Sequence, residues 1–172
     1  MGTIVTEQFA DADAFLLGRK SYELLYGYWS QVTDPDNVVA VKLNKLPKYV
    51  VSRSLKAAEW ANSTIVSGDV VEEIGKLKEL PGAELQVHGS AGLAQTLNQA
   101  GLIDLYRLWF FPIVVGPGKR LFDDGTTPTG FERLDVRLTD AGITVLTLRP
   151  TGAPSLGTVT IEDGAEGTEI AA

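Results

Sequence analysis

The residues best suited to chemistry lie in the stretch Leu85–Leu97, Leu-Gln-Val-His-Gly-Ser-Ala-Gly-Leu-Ala-Gln-Thr-Leu. It reads as a short apolar strand, a Gly-Ser turn and a helix that opens directly on the turn. The start of a helix leaves four backbone N–H groups without partners and carries roughly half a positive charge, so it attracts phosphate. Gly89 and Gly92 lack the Cβ atoms that would hold an anion away from that backbone. The same arrangement occurs in proteins with no ligand, so one turn alone leaves binding and purely structural roles open. A second turn, Leu16-Leu17-Gly18-Arg19-Lys20-Ser21-Tyr22-Glu23, repeats the pattern. There an apolar strand runs into Gly18, the cations Arg19 and Lys20, and then Ser21, a residue type that caps helices. Two strand-to-helix phosphate turns in one small domain suit a dinucleotide.

Other polar residues give weaker signals. An imidazole titrates near neutrality, yet His88, the lone histidine, reads as structural or as a neighbour of a cofactor. The pair Lys119-Arg120 stands open between solvent and ligand, and Asp123-Asp124 ahead of Gly125 reads as a turn. Tyr26, Tyr28, Trp29 and Trp109 read as core or subunit-interface aromatics, with ring stacking on a ligand the weaker alternative. With no cysteine there is no disulfide, thiolate nucleophile or zinc ribbon, and one histidine rules out a multi-histidine metal site.

The elements that must position these turns follow from length and pattern. At 172 residues and 44% hydrophobic content, the chain suits a single soluble domain over 1–150, with an acidic Gly- and Thr-rich extension over 151–172. That extension holds four acids, Glu162, Asp163, Glu166 and Glu169, and no base, leaving 15 bases against 18 acids elsewhere. Nothing in this balance favours nucleic acid, which demands clustered cations. The longest apolar run, Leu108–Val115, is broken by Pro112 and is far shorter than the roughly 20 residues of a membrane helix. No basic-then-apolar leader is seen at the N-terminus, so a cytoplasmic setting is expected.

Helical periodicity covers Thr3–Asp13, with Ile4, Val5, Phe9 and Ala12 on one side and solvated Asp11 and Asp13 at its end. Strands are expected at Ala14–Leu17, Lys48–Ser52, Ser63–Ser67 and Leu85–Val87, and helices at Ser21–Tyr28, Val38–Leu46, from Asp69 onward and at Ala91–Ala100. Asp69 with Glu72 three residues on has the signature of a capping box, and Gly101 that of a C-cap. Ile103–Val115 reads as one long strand buried on both faces, because its hydrophobicity is nearly continuous. Glu132–Thr139 and Ile143–Arg149 alternate cleanly about Asp140-Ala141-Gly142 and read as a hairpin. Thr158–Glu162 is a candidate edge strand, and the last ten residues read as a loose tail. This order predicts an α/β sheet, parallel in its middle and antiparallel at one edge. Ligands bind beyond the carboxyl ends of strands in such sheets, and Gly18, Ser52-Arg53, Ser67-Gly68 and Gly89-Ser90 all fall at expected strand ends.

Four motifs then stand in a familiar order: Leu-Leu-Gly-Arg-Lys-Ser-Tyr-Glu (16–23), Lys-Tyr-Val-Val-Ser-Arg-Ser-Leu (48–55), Val-His-Gly-Ser-Ala-Gly-Leu (87–93) and Pro-Ile-Val-Val-Gly-Pro-Gly-Lys-Arg-Leu-Phe (112–122). Over about residues 1–150 the chain resembles the dihydrofolate reductase-like superfamily, in particular the reductase domain of the bacterial bifunctional riboflavin deaminase-reductase. The resemblance implies a three-layer α/β/α fold with a mixed central sheet and a C-terminal antiparallel hairpin. It also implies a homodimer that reduces a small heterocyclic or carbonyl substrate with NADPH. By this resemblance Gly18, Arg19, Lys20 and Ser21 hold phosphates around the adenosine, with Arg19 or Lys20 near the 2′-phosphate. Ser52, Arg53 and Ser54 border the adenosine, with Gly68 at the neighbouring strand end. Gly89, Ser90 and the helix from Ala91 through Gly92 and Leu93 hold the pyrophosphate, and Gly116 lies nearer the nicotinamide.

Relatives of this kind usually begin with a further strand and loop before the point matching Met1. The acid that helps protonate folate would fall at or before Gly2, so no catalytic residue or proton donor is named. Either the chain is truncated or another segment fills the gap, and Thr158–Glu162 is one conceivable filler. The rival to a reductase is a non-catalytic nucleotide-binding or structural homodimer of the same fold.

Overall fold

In the first half of the chain, apolar runs of four to seven residues are each bounded by Gly, Pro, Asn or Asp, which favours short strands alternating with helices. A computed structural model describes residues 2–155 together with 158–162 and 165–169. It forms two compact units, Met1–Leu102 with Pro117–Asp124 and Ile103–Gly116 with Gly125–Ala172.

The first unit is built around β1 (Ala12–Gly18), whose Phe15, Leu16 and Leu17 are fully buried. Its neighbours β2 (Lys48–Val51) and β4 (Glu84–Val87) both run parallel to it, and β3 (Ser63–Val66) pairs parallel with β2. The order is β3-β2-β1-β4. The helices are α1 (Gly2–Ala10), α2 (Arg19–Trp29), α3 (Val38–Lys45), α4 (Val70–Lys78) and α5 (Ala91–Gln99). Phe9, Phe15, Leu17, Tyr22, Leu43, Val50 and Trp60 make one core cluster.

Several expected ends are confirmed by their hydrogen bonds. The Asp69 carboxylate accepts from Glu72 N at 2.9 Å and caps α4, and Asn37 Oδ1 accepts from Ala40 N at 3.0 Å and caps α3. Gly101 takes φ +66°, and Leu102 N donates to Leu97 O at 2.9 Å, closing α5. The first helix is shorter than its periodicity predicts. It stops at Ala10, and Ala12 pairs with Glu84 as the start of β1. Lys42 Nζ reaches across from α3 to Ala10 O (2.9 Å) and Ala12 O (3.0 Å), taking up carbonyls at that junction. Asp13 is not simply solvated, because its carboxylate accepts from Ala83 N at 2.6 Å.

Lys48 looks in the sequence like the polar first residue of a strand, yet it is fully buried. Its ammonium donates to Leu43 O (2.7 Å) and Leu46 O (2.8 Å), the open carbonyls at the end of α3, and lies 4.8 Å from the centre of the Trp60 ring. Burial pushes it down to about 8. Asn44 ties the same region together, donating to Trp29 O and Val32 O and accepting from Trp60 Nε1 at 2.7 Å.

In the second unit β5 (Tyr106–Phe110) and β6 (Gly130–Leu138) both pair antiparallel with β7 (Thr144–Gly152), in the order β5-β7-β6. The expected hairpin is present, with Gly142 at φ +75° in its turn. The mixed α/β class holds, with a parallel four-stranded sheet in the first unit and an antiparallel three-stranded sheet in the second. The strand expected over Ile103–Val115 is cut to five residues. Pro112 brings no N–H to a ladder, and Ile113 N turns back to Phe111 O at 2.8 Å. Nor is the run buried on both faces: β5 is an edge strand, and Phe110, Phe111, Ile113, Val114 and Val115 are exposed, Val114 by 98%. Hydrophobicity reports a preference for burial, and no other described element of the second unit covers this run.

The tail also differs from expectation. Thr158–Glu162 (β8) pairs antiparallel with Ala165–Glu169 (β9), so this part is a hairpin and not a loose end. Among the described residues β8 pairs only with β9. Residues 163, 164 and 170–172 of the expected tail lie outside the described residues. Among the described residues, no helix is long and apolar enough to cross a membrane.

Candidate functional site

Parallel pairing decides where the glycine turns fall. Gly18 is opposite Val51, Val51 is opposite Val66, and Leu16 is opposite Val87, so all four strands finish at one edge of the sheet. The next residues along each strand are therefore Arg19, Ser52-Arg53, Ser67-Gly68 and His88-Gly89-Ser90. The sheet thus places the sequence-predicted Gly18, Arg19, Lys20, Ser21, Ser52, Arg53, Ser54, Gly68, Gly89, Ser90, Ala91 and Gly92 at or just beyond its carboxyl rim, whereas Leu93, expected beside the pyrophosphate, is buried in the first turn of α5. Gly116, with φ +87°, belongs to the second unit.

Local chemistry at the rim follows from three features. First, the Ser52 hydroxyl accepts from Ser54 N (3.2 Å) and Leu55 N (3.0 Å), turning the chain sharply after β2 and leaving Arg53 exposed. Second, the rim is cationic. Arg19 faces Glu23 at 3.4 Å across one helical turn, an exposed pair worth little, while the side chains of Lys20 and Arg53 are exposed and form no hydrogen bond or ion pair among the described residues. Third, the turns are cross-connected. Gly18 N donates to Ser90 Oγ (2.9 Å), and Ser90 N donates to Ser21 Oγ (3.0 Å). This corrects the expectation that Ser21 caps its own helix: Gly18 is the N-cap of α2, and Ser21 lies inside its first turn.

Backbone conformation calls for glycine at position 89, whereas Gly18 has ordinary extended backbone. Gly89 has φ +62°, and a Cβ there would lie 3.3 Å from Ser21 Oγ. A Cβ on Gly18 would lie 3.5 Å from Ser90 Oγ. His88 stacks on Phe9 with ring centroids 4.6 Å apart, and its Nε2 is 3.0 Å from Gln86 Oε1. It is packed under the turn as part of the fold, in keeping with its structural reading.

Two features were invisible in the pattern. A cavity of about 560 Å³ opens at the start of α5, lined by Ala91, Gly92, Gln95, Lys119, Arg120 and Asp124 among others. Gln95 Nε2 donates to Arg120 O at 2.9 Å, which fastens the Lys119-Arg120 loop beside the helix start. The second, of about 640 Å³, is lined by Tyr26, Asn44, Glu59 and Trp60 among others. No spacing rule joins such distant residues. Among the described residues, no group of three or more His, Cys, Asp or Glu is placed to hold a metal ion.

Residues 1–148 match the profile of the RibD C-terminal domain. The chain belongs to the RibD C-terminal domain family. That membership relates it to the reductase of riboflavin biosynthesis. It is 33% identical over 141 residues to the uncharacterized protein YyaP of Bacillus subtilis (strain 168), covering 80% of this chain and 74% of that one. Its fold is similar to that of a Shewanella sp. PV-4 protein assigned to riboflavin biosynthesis, with TM-score 0.69, 19% identity and coverage of 88% and 80%. It is also similar to the Thermotoga maritima diaminohydroxyphosphoribosylaminopyrimidine deaminase/5-amino-6-(5-phosphoribosylamino)uracil reductase, with TM-score 0.59, 18% identity and 86% of this chain covered. The chain corresponds to 48% of that longer protein's length. For a RibD C-terminal domain the glycine rim is thus built on a shared α/β frame.

Proposed function

We propose that the chain is an NADPH-dependent oxidoreductase that reduces a small heterocyclic compound, pterin-like or riboflavin-precursor-like, or a carbonyl compound. The observation that carries this reading is the alignment of four strand ends, with their glycines, hydroxyls and exposed cations, along one rim of a RibD C-terminal domain. The donor set fits a doubly phosphorylated dinucleotide. Two helix starts and the cations Arg19, Lys20 and Arg53 suit phosphate oxygens, and Gly89 keeps open a space that a side chain would narrow. NADPH, when bound, supplies the hydride; the chain's part is to hold and orient it. Arg19 and Lys20 at the start of α2 serve the phosphates around the adenosine. Ser52, Arg53 and Ser54 border that end, and Gly89 with the start of α5 serves the pyrophosphate.

Titration with NADPH tests the reading through quenching of Trp29, Trp60 and Trp109 fluorescence. No response up to millimolar NADPH overturns it. Binding without oxidation in the presence of pterin, flavin-precursor or quinone substrates favours the non-catalytic binder. Arg19→Ala weakens NADPH about tenfold, the loss of one charge-assisted contact, and leaves NADH nearly unchanged. Equal weakening of both removes Arg19 from the 2′-phosphate.

The chain is further proposed to form a homodimer, acting in the cytoplasm. Support comes from the second unit, where Val136, Leu146 and Leu108 stand side by side across three strands, next to Leu138 and Phe110. Leu138 is 76% exposed and Phe110 52%, an apolar sheet face of the sort buried between subunits. Light scattering is expected to return twice the chain mass; a monomer refutes the dimer.

A further inference from the structure

A serine at the start of a helix ordinarily turns its hydroxyl onto the helix's own second or third amide. Ser90 does not. It is the N-cap of α5 yet makes no side-chain cap, and its Oγ accepts instead from Gly18 N, the N-cap residue of α2, at 2.9 Å. The same Oγ lies 3.3 Å from His88 O, to which it donates, so both capacities of this hydroxyl are used within the protein. In return Ser21 of α2 accepts from Ser90 N at 3.0 Å. The two helix starts are cross-linked through their N-cap amides: each hydroxyl serves the other turn, and neither helix has a side-chain cap. Ser90 is held at φ 56°, ψ 46°, a left-handed conformation unfavourable for a residue with a Cβ. Strain of this type persists only where surrounding bonds impose it, and it gathers at sites of function.

We propose that Ser21 and Ser90 form a clasp that fixes the spacing of the two phosphate turns, making both positioning residues for an intact dinucleotide. This role rests on the NADPH reading above. The clasp leaves the first-turn amides of both helices facing the rim without a competing side chain. It also makes the distance between the turns a property of two hydrogen bonds and not of loop stiffness. A ligand that touches one turn does not sense that distance, whereas one that spans both does.

The test is a double-mutant cycle in the full chain, using Ser21→Ala, Ser90→Gly and the double variant, with Ser21→Thr as the rescue. Ser90→Gly keeps the left-handed backbone free of strain while removing the hydroxyl. Each variant is titrated with NADPH and with adenosine 2′-monophosphate, which has no pyrophosphate phosphorus, and its thermal midpoint confirms folding. Each single change is expected to weaken NADPH about tenfold, and Ser90→Gly to weaken the monophosphate less than twofold. The double variant should lose no more than the worse single, and Ser21→Thr should restore binding. Additive losses mean two independent ligand contacts and overturn the clasp. Parallel loss of the monophosphate in Ser90→Gly overturns it as well. Amide exchange gives a reading free of ligand: Gly18 and Ser90 N–H should be protected in the wild type, with Ser90 released by Ser21→Ala. Unprotected wild-type amides overturn the clasp. No NADPH binding by a wild type with protected amides instead overturns the cofactor reading, and with it the positioning role.

Discussion

Replacing Lys48 with alanine lowers the unfolding free energy by about 3 kcal/mol, and with methionine by about 1 kcal/mol, as urea titration at pH 7 will show. Alanine leaves a hole where four methylenes were packed and strips Leu43 O and Leu46 O of their donor. Methionine refills most of the hole and loses only the donor, while relieving the cost of a buried charge. The pH dependence separates this charge from packing. Lys48 is held at about 8 in the folded protein against 10.5 unfolded, so between those values the unfolded state binds more protons. Stability therefore gains nothing from this group below about pH 8 and rises as pH climbs to 10.5, by roughly 3 kcal/mol at most. Lys48→Met should lack that rise. Identical pH profiles for the two proteins would show that the carbonyl bonds and the Trp60 ring keep Lys48 charged throughout.

The second large effect is at the rim. Gly89→Val is expected to weaken NADPH about a hundredfold and lower stability by about 2 kcal/mol. At φ +62° any side chain is strained, and its Cβ would press to 3.3 Å on Ser21 Oγ, the acceptor that holds Ser90 N. The control is Gly27→Ala in α2, where nothing lies within 4 Å of the added carbon. There the substitution should raise stability by about 0.5–1 kcal/mol, since alanine forms helix better than glycine, and leave NADPH binding unchanged. Calorimetry reads both quantities. Wild-type affinity in Gly89→Val would mean that the turn takes no part in holding the cofactor.

The framework of both effects is local. Breakers and short apolar runs specify strands at 14–17, 48–52, 63–67 and 85–87, each within two residues of those observed, since period and breakers are written into neighbouring residues. Capping is equally local, as Asp69 and Asn37 show by bonding within three residues. Because parallel strands joined by crossovers must all point one way, strand ends read from sequence are already rim positions.

What neighbouring residues do not encode is cover and company. Lys48 has the composition of a surface residue, and only the meeting of α3, β2 and Trp60 buries it. Ile113, Val114 and Val115 have the composition of a core, yet they are exposed. Ser21 and Ser90 carry the signature of helix caps, and each instead bonds across 69 or 72 residues of chain to the other's turn. The sequence by itself determined the parallel strands of the first unit, their direction and the rim at their ends. Tertiary structure alone decided which hydroxyl meets which amide and which charge is buried, because those are contacts at a distance along the chain, set by packing and not by pattern.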